Sequence, residues 1–438
     1  MPKLKRITTT DQNFATQLAE VLNRDSAAER NVDQQVADII QDVRQRGDGA
    51  LLELTAKFDG NSAGSIAGLE LSQERLQQAS KNISKEKFAA LTHAVKRVNT
   101  YHQHQKQSAW FYTEADGSRY GQKVLAMQRA GLYVPGGKAA YPSSVLMTAI
   151  PAKVAGVKEL IMMVPAPLGE LNEMVLAAAF LAGVDRVFTI GGAQAIAALA
   201  YGTETVPAVD TIVGPGNVYV ASAKKQVFGK VGIDMIAGPS EVLVVADETT
   251  NPDWVAMDLF AQAEHDEMAQ SILLTPDASY ADKVQQSIKK LLPSMERQDI
   301  IAASLEKNGA IIITENIASL PDIIDQIAPE HLELMIKDAE ALSEKVSNAG
   351  AIFIGSYSSE SLGDYTAGPS HVLPTSGTAR FSSPLGVYDF QKRTSIIHCS
   401  QEGAQVLGQV ASTLARSESL SAHARSAEMR IEKIKVTE

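Results

Sequence analysis

The stretch ELIMMVPAPLGELNEMVLAAAFLAGVDRVFTIG, residues 159–191, has two short apolar runs on either side of a longer segment with helical spacing. The runs ELIMMVP and DRVFTIG end at a proline and a glycine, which is typical of buried strands. The segment between them, ELNEMVLAAAFLAGV, is rich in helix-favouring residues. This stretch predicts a strand–helix–strand unit, from which parallel sheets are built.

The same alternation extends from about Gly131 to Gly355. Six further apolar runs predict buried strands: GLYVP at 131–135, VDTIVG at 209–214, SEVLVVAD at 240–247, QSILLTP at 270–276, GAIIIT at 309–314 and GAIFIG at 350–355. We therefore expect parallel sheets with helices on both faces. The first 130 residues are predicted to be mostly helical, and the last 50 to be a strand, TSIIHCS, followed by helices.

The composition is that of an ordinary globular protein with more than one domain. The chain has 438 residues, of which 45% are hydrophobic and 21% charged. Its net charge of −11 disfavours nucleic acid and anionic membranes as partners. The longest apolar stretches are too short to span a membrane, and no apolar h-region follows the basic start. Because a single cysteine excludes an internal disulfide, we expect a cytoplasmic protein.

Three glycine-rich loops follow predicted strands, at 133–137, 191–194 and 214–217. Glycines there allow the backbone to approach a ligand closely, and the N-terminus of the next helix suits a pyrophosphate. The alternative is that these turns only connect strands to helices. The dinucleotide fingerprint G-x-G-x-x-G is absent, since Gly214-Pro215-Gly216 is followed by Asn217, Val218 and Tyr219. A standard Rossmann domain is therefore not predicted.

Gln262 and His265 lie three residues apart on a predicted helix that begins after Asn251-Pro252. Their side chains project from one face of this helix, so the pair could supply two metal ligands. The alternative is a histidine near a helix end that is solvated or packed into the core. Because glutamine is an uncommon zinc ligand, the spacing leaves both interpretations open.

Glu330 and His331 directly follow Pro329 and precede the strand-like run LELMIK. Adjacent side chains reach one site only from a turn, and the proline favours a turn here. A histidine at this place could act as a general base, and the carboxylate could activate water. The alternative is an exposed polar pair on the protein surface.

Two further polar segments contain candidate ligands. One is the irregular loop from Gly363 to His371, with Asp364, and the other runs from Ser417 to His423. Asp364 and His423 would complete an N/O ligand set suited to zinc or manganese. Spacing alone does not bring such distant residues together, and it leaves open whether His371 touches a substrate or only packs.

Cys399 is the single cysteine, and it lies in the β-like stretch SIIHCS. An aldehyde-oxidising enzyme can use a thiolate as its nucleophile. No glycine-rich turn or helix N-terminus near Cys399 would lower its pKa, so we expect a buried structural thiol. If the protein oxidises an aldehyde without a catalytic cysteine, the aldehyde would first be converted to its hydrate, which then gives up a hydride.

Several motifs of this chain resemble those of the histidinol dehydrogenase family. IDMIAGPSEV at 233–242 resembles the family signature, and GLYVPGG, GGAQAIAALAYG, VGPGN, QAEHD, APEHLEL, GDYTAGPSHVLPT and SESLSAH occur in the family's order. The resemblance covers essentially the whole chain. It implies an α/β fold with two incomplete Rossmann-like domains with parallel sheets, a helical N-terminal segment and an extended C-terminal arm, similar to aldehyde dehydrogenases.

The resemblance also implies a division of the chain. Residues 1–27 would form the helical segment. Residues 28–132 and 242–385 would form a discontinuous Rossmann-like domain that carries the metal and the catalytic residues, with residues 133–241 inserted as the NAD-binding domain. Residues 386–438 would form an arm that is exchanged between the two subunits of a homodimer.

The resemblance implies one zinc ion per subunit, held by Gln262, His265, Asp364 and the neighbouring subunit's His423. The residues expected to contact the substrate are Ser240, Gln262, His265, His331, Asp364, Glu418 and His423. Those expected to contact NAD are Tyr133, Gln194 and Asn217. Glu330 and His331 match the acid/base pair.

The implied activity is the last step of histidine biosynthesis: two successive NAD-dependent oxidations of L-histidinol, through L-histidinaldehyde, to L-histidine. His331 would take the alcohol proton, Glu330 would activate water, and zinc would position the substrate. The alternatives are the oxidation of another small alcohol, such as a sulfonated diol, a non-catalytic metal-binding protein, and a zinc hydrolase. A hydrolase would leave the three glycine-rich loops without a role.

Overall fold

The structure is a computed structural model that describes residues 2–23, 29–136 and 141–431. Gly137 of the first glycine-rich loop and the last residues of the predicted arm lie outside these ranges. The strands are β1 (Lys5–Thr8), β2 (Glu70–Leu71), β3 (Trp110–Thr113), β4 (Arg119–Ala126), β5 (Arg129–Tyr133), β6 (Glu159–Met163), β7 (Arg186–Phe188), β8 (Thr211–Val213), β9 (Gly232–Ile233), β10 (Glu241–Ala246), β11 (Gln270–Thr275), β12 (Ala310–Ile313), β13 (His331–Met335), β14 (Ala351–Ile354) and β15 (Gln391–His398).

The helices alternate with these strands through most of the chain. They are α1 (Phe14–Leu22), α2 (Glu29–Arg46), α3 (Asp48–Asp59), α4 (Gln73–Asn82), α5 (Lys85–Gln103), α6 (Pro142–Ala155), α7 (Glu173–Ala182), α8 (Gly192–Tyr201), α9 (Val218–Val227), α10 (Pro252–Ala263), α11 (Ala278–Leu291), α12 (Gln298–Asn308), α13 (Leu320–Ile327), α14 (Ala339–Ser343), α15 (Glu360–Tyr365), α16 (Gln401–Ser417) and α17 (Ser421–Glu428). In the described ranges, no helix has the length and apolarity needed to cross a membrane.

The chain divides into two compact units. The larger unit comprises Met1–Gln105 and Met127–Phe390, and the smaller unit comprises Lys106–Ala126 and Gln391–Glu438. In the described part of the larger unit, the strands form two six-stranded sheets. Sheet 1 has the order β1-β12-β11-β10-β13-β14 and is parallel. Sheet 2 has the order β2-β7-β6-β5-β8-β9, in which β2 is antiparallel to the parallel remainder.

Each of these sheets lies between two layers of helices. Along β6, for example, Leu160 and Met162 contribute to one apolar core, and Ile161 and Met163 to the core on the opposite face. The alternation follows from the two-residue period of a strand, and apolar residues at both phases bury both faces. The predicted parallel sheets with helices on both faces are thereby confirmed.

The edges of sheet 1 differ from the expected series of buried strands. β14 is only partly buried: Ile352 and Ile354 on this edge strand are 38% and 40% exposed. At the opposite edge, β1 comes from the N-terminal region, for which no strand was predicted. β1 has one apolar residue in its four positions, Lys5–Thr8, and its pairing with β12 is a long-range contact that local periodicity does not reveal.

The helices of residues 29–105 pack on sheet 2. α2 and α3 share a core with α8 and α9, and α4 and α5 share the other core with α6 and α7. The sequence prediction assigned residues 28–132 to the domain that carries the metal and the catalytic residues, together with residues 242–385. The predicted boundary after residue 132 also falls within β5. The structure differs here because the apolar face of a helix fits either sheet, so its local pattern does not select one. The functional division of the chain stays a prediction.

The smaller unit contains an antiparallel sheet, sheet 3, with the order β15-β4-β3, and the helices α16 and α17. The predicted arm, 386–438, did not include β3 and β4. Cys399, which directly follows β15, is exposed, so the expected buried thiol is wrong. It also directly precedes Ser400, the N-cap of α16, so the expectation that no helix N-terminus lies near it is wrong as well. A strand of a sheet in a small unit has one face without a covering layer, which the sequence pattern of β15 did not reveal.

Both sheets of the larger unit have a position where the strand order reverses. In sheet 2 this position lies between β5 and β8, because β6 and β7 extend to one side of β5 and β8 and β9 to the other. Ligands of such folds bind at the carboxyl ends of the strands at this position. The loops after β5 and β8 are two of the three glycine-rich loops.

Candidate active site

Glu330 and His331 lie at the amino end of β13 in sheet 1, and both side chains contact the backbone of Glu241. The backbone N–H of Glu241 donates to Glu330 Oε2 at 2.8 Å, and His331 Nδ1 lies 2.9 Å from the Glu241 carbonyl oxygen. Glu330 is 6% and His331 3% exposed, so the alternative of an exposed polar pair is wrong. The site therefore lies at the amino edge of sheet 1, whereas ligand sites were expected at carboxyl ends.

The turn before this pair is tightly built. Ala328 ends α13 in the left-handed region with φ +47°, a conformation unusual for a residue other than glycine. The N–H of Gly350 donates to the Pro329 carbonyl oxygen at 2.9 Å, and a Cβ on Gly350 would lie 2.5 Å from the Glu330 carbonyl oxygen. The predicted turn at Pro329 thus exists, and close backbone packing holds it.

The second ring nitrogen of His331 is buried without a hydrogen-bond partner among the described residues. Its nearest carboxylate is Asp364 on α15, with 3.8 Å between His331 Nε2 and Asp364 Oδ1, which is too long for a hydrogen bond. Because a neutral histidine whose Nδ1 donates to a carbonyl carries its lone pair on Nε2, this atom is available to accept a proton.

The electrostatic environment shifts the pKa values of these groups. Burial lowers the pKa of His331, but the carboxylates of Glu360, Glu330 and Asp364 outweigh it and raise the pKa well above its usual 6.5. Burial raises the pKa of Glu330 to about 8. Burial also acts to raise the pKa of Asp364, but His331 and two further histidines outweigh it and lower this pKa. Of these groups, Glu330 has a pKa near neutral pH, which suits proton exchange, whereas the lowered pKa of Asp364 keeps it a carboxylate.

Gln262 lies in the last turn of α10, beside the same edge of sheet 1. His265 lies in the turn after Ala263, where α10 ends, so the prediction that one helix carries both residues is wrong. With the amide of Gln262 oriented so that Nε2 donates to the Glu241 carbonyl oxygen at 3.1 Å and to Glu360 Oε1 at 3.2 Å, its Oε1 lies 3.0 Å from His265 Nδ1. Burial lowers the pKa of His265, and the charge of Asp364 acts in the opposite direction. A neutral imidazole, an amide oxygen and a carboxylate form an N/O donor set that suits zinc. These residues therefore fit a metal ion.

The remaining predicted site residues, the zinc ligand His423 and the substrate contact Glu418, belong to the smaller unit. Glu418 follows α16 and His423 lies on α17, and both side chains are exposed. In the larger unit, Gln262 contacts His265, and Asp364 lies near enough to His265 for its charge to act on the pKa of that ring. The complete set of four zinc ligands stays a prediction.

His371 and Ser240 lie near this edge as well. His371 Nδ1 is 3.2 Å from the Asp364 carbonyl oxygen, and its Nε2 is 3.3 Å from Ser144 Oγ. Both ring nitrogens thus have protein partners, which fits a packing role. Ser240 directly precedes β10 and is partly buried, and its carbonyl oxygen accepts from the N–H of Gln270 at 2.9 Å.

Three buried carboxylates near the site were not singled out from the sequence: Asp258, Glu333 and Glu360. Glu333 Oε1 accepts from the N–H of Glu360 at 2.6 Å, and thereby caps the helix that carries Asp364. Burial raises the pKa of Glu360 to about 8, that of Asp258 to about 6, and that of Glu333 well above its usual value. Possible ligand atoms of Glu360, His331 and Asp364 lie within 4.8 Å of one another.

The sequence contains one signal for Glu360, because it lies four residues before Asp364 and both fall on the same face of a short helix. Glu333 and Asp258 carry no comparable local signal. They meet only because β13 and α10 are neighbours in the tertiary structure.

The predicted NAD contacts lie at the carboxyl edge of sheet 2. Tyr133 ends β5, and its hydroxyl oxygen accepts from the N–H of Gly192 at 3.1 Å. Gln194, in the first turn of α8, is 1% exposed, and its Nε2 is without a partner among the described residues. Asn217 caps α9 by accepting from the N–H groups of Tyr219 and Val220 at 3.1 and 3.2 Å. A buried donor without a partner among the described residues, in the first turn of the helix after a glycine-rich loop, fits a dinucleotide.

Comparisons with known proteins agree with this description. The family model described as Histidinol dehydrogenase matches residues 22–431. A histidinol dehydrogenase of Pseudomonas aeruginosa is 62% identical over 428 residues, which are 98% of this chain and 97% of the relative. A histidinol dehydrogenase of Dechloromonas aromatica is 60% identical over 432 residues, which are 99% of this chain and 100% of the relative.

A solved structure is also similar. The crystal structure of histidinol dehydrogenase from Elizabethkingia anophelis matches with a TM-score of 0.92 and 32% sequence identity, and the match covers 98% of each chain. This likeness confirms the predicted fold class of Rossmann-like domains with parallel sheets. The chain belongs to the histidinol dehydrogenase family.

Proposed function

We propose that this chain is a zinc-dependent histidinol dehydrogenase that oxidises L-histidinol twice with NAD, through L-histidinaldehyde, to L-histidine. The observation that carries the proposal is the buried His331 Nε2, which lacks a partner in the described residues and lies 3.8 Å from Asp364 Oδ1. A buried polar atom without a partner is costly, so a substrate group is the natural partner.

Zinc would be held by Gln262, His265 and Asp364 of one subunit and by His423 of the partner subunit. When bound, zinc supplies a positive centre that orients the nitrogen atoms of the substrate and polarises its oxygen. The donor set in the larger unit, an amide, an imidazole and a carboxylate, supports this assignment. His423 lies in the smaller unit, where its side chain is free to serve another subunit.

In the first oxidation, His331 Nε2 takes the proton of the alcohol hydroxyl while the carbon atom loses a hydride to NAD. In the second oxidation, Glu330 takes a proton from water, and the resulting hydroxide adds to the aldehyde carbon to form the hydrate as its anion. The hydrate then loses a hydride to a second NAD. Burial of Glu330 and His331 excludes bulk water, and this retains the reactive aldehyde.

We infer that NAD lies over the loops after β5, β7 and β8, with Tyr133, Gln194 and Asn217 as its contacts. The residues between Asp234 and Glu241 connect the carboxyl edge of sheet 2 to the amino edge of sheet 1. A segment of this length spans at most roughly 25 Å. This short connection supports a nicotinamide that reaches the amino edge of sheet 1.

We also propose a homodimer in the cytoplasm. The smaller unit exposes large apolar side chains on sheet 3 and on α16: Trp110 at 53%, Tyr112 at 51%, Ile397 at 76%, Val406 at 63%, Val410 at 54% and Leu414 at 58%. Surfaces of this kind mark protein–protein contacts. The partner is a second copy of this chain, since an exchanged arm would supply His423.

The experiment is an assay of NADH formation by the purified protein with a panel of alcohols. L-Histidinol should yield two NADH for each histidine formed, the chelated protein should be inactive, and added zinc should restore it. Oxidation of another alcohol but not of L-histidinol would contradict the substrate assignment. Bound zinc without any NADH formation would contradict the enzymatic function.

A further inference from the structure

Lys224 on α9 and Asp234, which directly follows β9, form an ion pair inside the larger unit. Their side chains are 2% and 1% exposed. Buried lysine is rare, and the site described above does not use this pair. The pair lies at the carboxyl edge of sheet 2, where β8 and β9 end.

Both members of the pair bind the same residue of the glycine-rich loop after β8. Lys224 Nζ donates to the Gly214 carbonyl oxygen at 2.9 Å, and the Gly214 N–H donates to Asp234 Oδ2 at 2.8 Å. Asp234 Oδ1 accepts from Lys224 and, at 2.7 Å, from the N–H of Met235. The two polar backbone atoms of Gly214 are thus held by two opposite charges.

Gly214 needs this support because of its backbone and its surroundings. Its φ of +113° is outside the range that side chains other than hydrogen readily adopt. A Cβ on Gly214 would lie 2.1 Å from the carbonyl oxygen of Tyr133. The loop after β8 is therefore pressed against the end of β5, at the position where the strand order of sheet 2 reverses.

A buried ion pair is a weak source of stability, because desolvation of two charges offsets most of their attraction. Apolar side chains of similar size would fill the same space and avoid the cost of burying two charges. Apolar side chains would leave the Gly214 carbonyl oxygen and N–H without these partners. The specific contribution of the pair is hence the position of the loop.

We propose that Lys224 and Asp234 are positioning residues for the dinucleotide: they fix the loop from Gly214 to Asn217 and leave the chemistry at sheet 1 to other groups. This inference rests on the proposed NAD dependence. The pair itself contacts the loop backbone, so its loss should weaken NAD binding and leave the binding of the alcohol unchanged.

The test is the double variant Lys224→Met/Asp234→Leu, studied in the full-length protein. We expect the KM for NAD to rise about tenfold or more, with the KM for L-histidinol and kcat within about twofold of the parent. A merely structural contribution would alter both KM values and the melting temperature together. An unchanged KM for NAD in the folded variant would overturn the inference.

A control on the same sheet is Arg129→Met/Glu159→Leu, which removes an ion pair whose side chains are 47% and 30% exposed. This pair joins β5 and β6 at the opposite, amino edge of the same sheet, with 2.5 Å between Arg129 Nε and Glu159 Oε2. Its removal should leave both KM values unchanged. A tenfold rise in the KM for NAD in this control would also overturn the inference, because the effect would then not be specific to the loop.

A second variant covers the case in which the double variant does not fold. Asp234→Asn keeps an acceptor for the Gly214 N–H but removes the charge opposite Lys224. It should raise the KM for NAD by about threefold or more, and less than the double variant does. A folded Asp234→Asn protein with the KM of the parent would contradict the inference.

Calorimetric titration with NAD separates this inference from the proposed function. If the parent binds NAD but does not oxidise L-histidinol, the proposed function fails, and the affinities of parent and variants still decide the inference. If the parent oxidises L-histidinol and the double variant binds NAD equally well, only the inference fails. A parent protein that binds no NAD overturns both.

Discussion

His331 Nδ1 lies 2.9 Å from the carbonyl oxygen of Glu241, across the pairing of β13 with β10. A carbonyl oxygen can only accept, so Nδ1 carries the proton of this hydrogen bond. The contact holds the ring in one tautomer and directs Nε2 away from the sheet edge. The local sequence made His331 a candidate base, and the strand register supplies the contact that fixes its tautomer.

His331→Asn should reduce kcat for L-histidinol by about 10²- to 10⁴-fold, because asparagine cannot accept the alcohol proton. In the parent, kcat/KM should rise with pH through a pKa above 6.5, since burial lowers the pKa of His331 but the carboxylates outweigh it and only the deprotonated ring is a base. The variant should lose this rise. His93→Asn, at an exposed position of α5, is the control. Full activity of His331→Asn at every pH would exclude the proton role.

Gln262→Ala should weaken zinc binding by about tenfold or more, because it removes the amide oxygen that we propose as a zinc ligand. This oxygen lies 3.0 Å from His265 Nδ1. The measurement is the zinc retained by the protein during titration with a chelator. Gln286→Ala, at an exposed position of α11, should retain zinc like the parent. Equal retention by parent and Gln262→Ala would remove Gln262 from the ligand set.

Glu333→Gln should make the stability less dependent on pH. Burial raises the pKa of Glu333 well above its usual 4.5, so the folded protein holds a proton that the unfolded chain releases. The stability of the parent therefore falls as the pH rises from about 4.5 through the raised folded pKa. Glutamine keeps an acceptor for the Glu360 N–H without this proton, so the fall should be smaller by about 1 kcal/mol or more.

Melting temperatures of parent and Glu333→Gln, measured across neutral and alkaline pH, check this prediction. Glu306→Gln, at an exposed position of α12, should follow the parent at each pH. A curve for Glu333→Gln parallel to that of the parent would indicate that Glu333 is ionised in the folded protein.

Leu414→Asp should separate the proposed dimer. Val406, Val410 and Leu414 form one exposed apolar stripe on α16, spaced four residues apart. A carboxylate in a buried interface would be costly. Light scattering should report a monomer, and NADH formation should be lost because His423 of the partner subunit would be absent. Gln409→Asp tests the charge alone, and an active monomer of Leu414→Asp would refute the shared site.

Much of the fold was accessible from the sequence because each buried strand is a short apolar run that ends at a turn residue. β5, β6 and β8 were predicted on this basis, and both of their faces are buried as expected. β1 was not predicted, and β14 is less buried than expected. Both are edge strands, and the strand that an edge strand pairs with cannot be read from its local sequence.

For the site, the sequence by itself indicated that Gln262 and His265 lie close together, although His265 follows the end of α10. It also indicated the turn before Glu330 and His331, and the resemblance that connects both pairs to a family. Only the tertiary structure decided which groups surround them. Glu241 contacts both Glu330 and His331 through its backbone, which carries no residue-specific signal. Glu333 caps α15 across the fold. The local hydrophobic pattern of a sequence indicates which face of a segment is apolar. These contacts depend instead on the register between strands that are distant in the sequence.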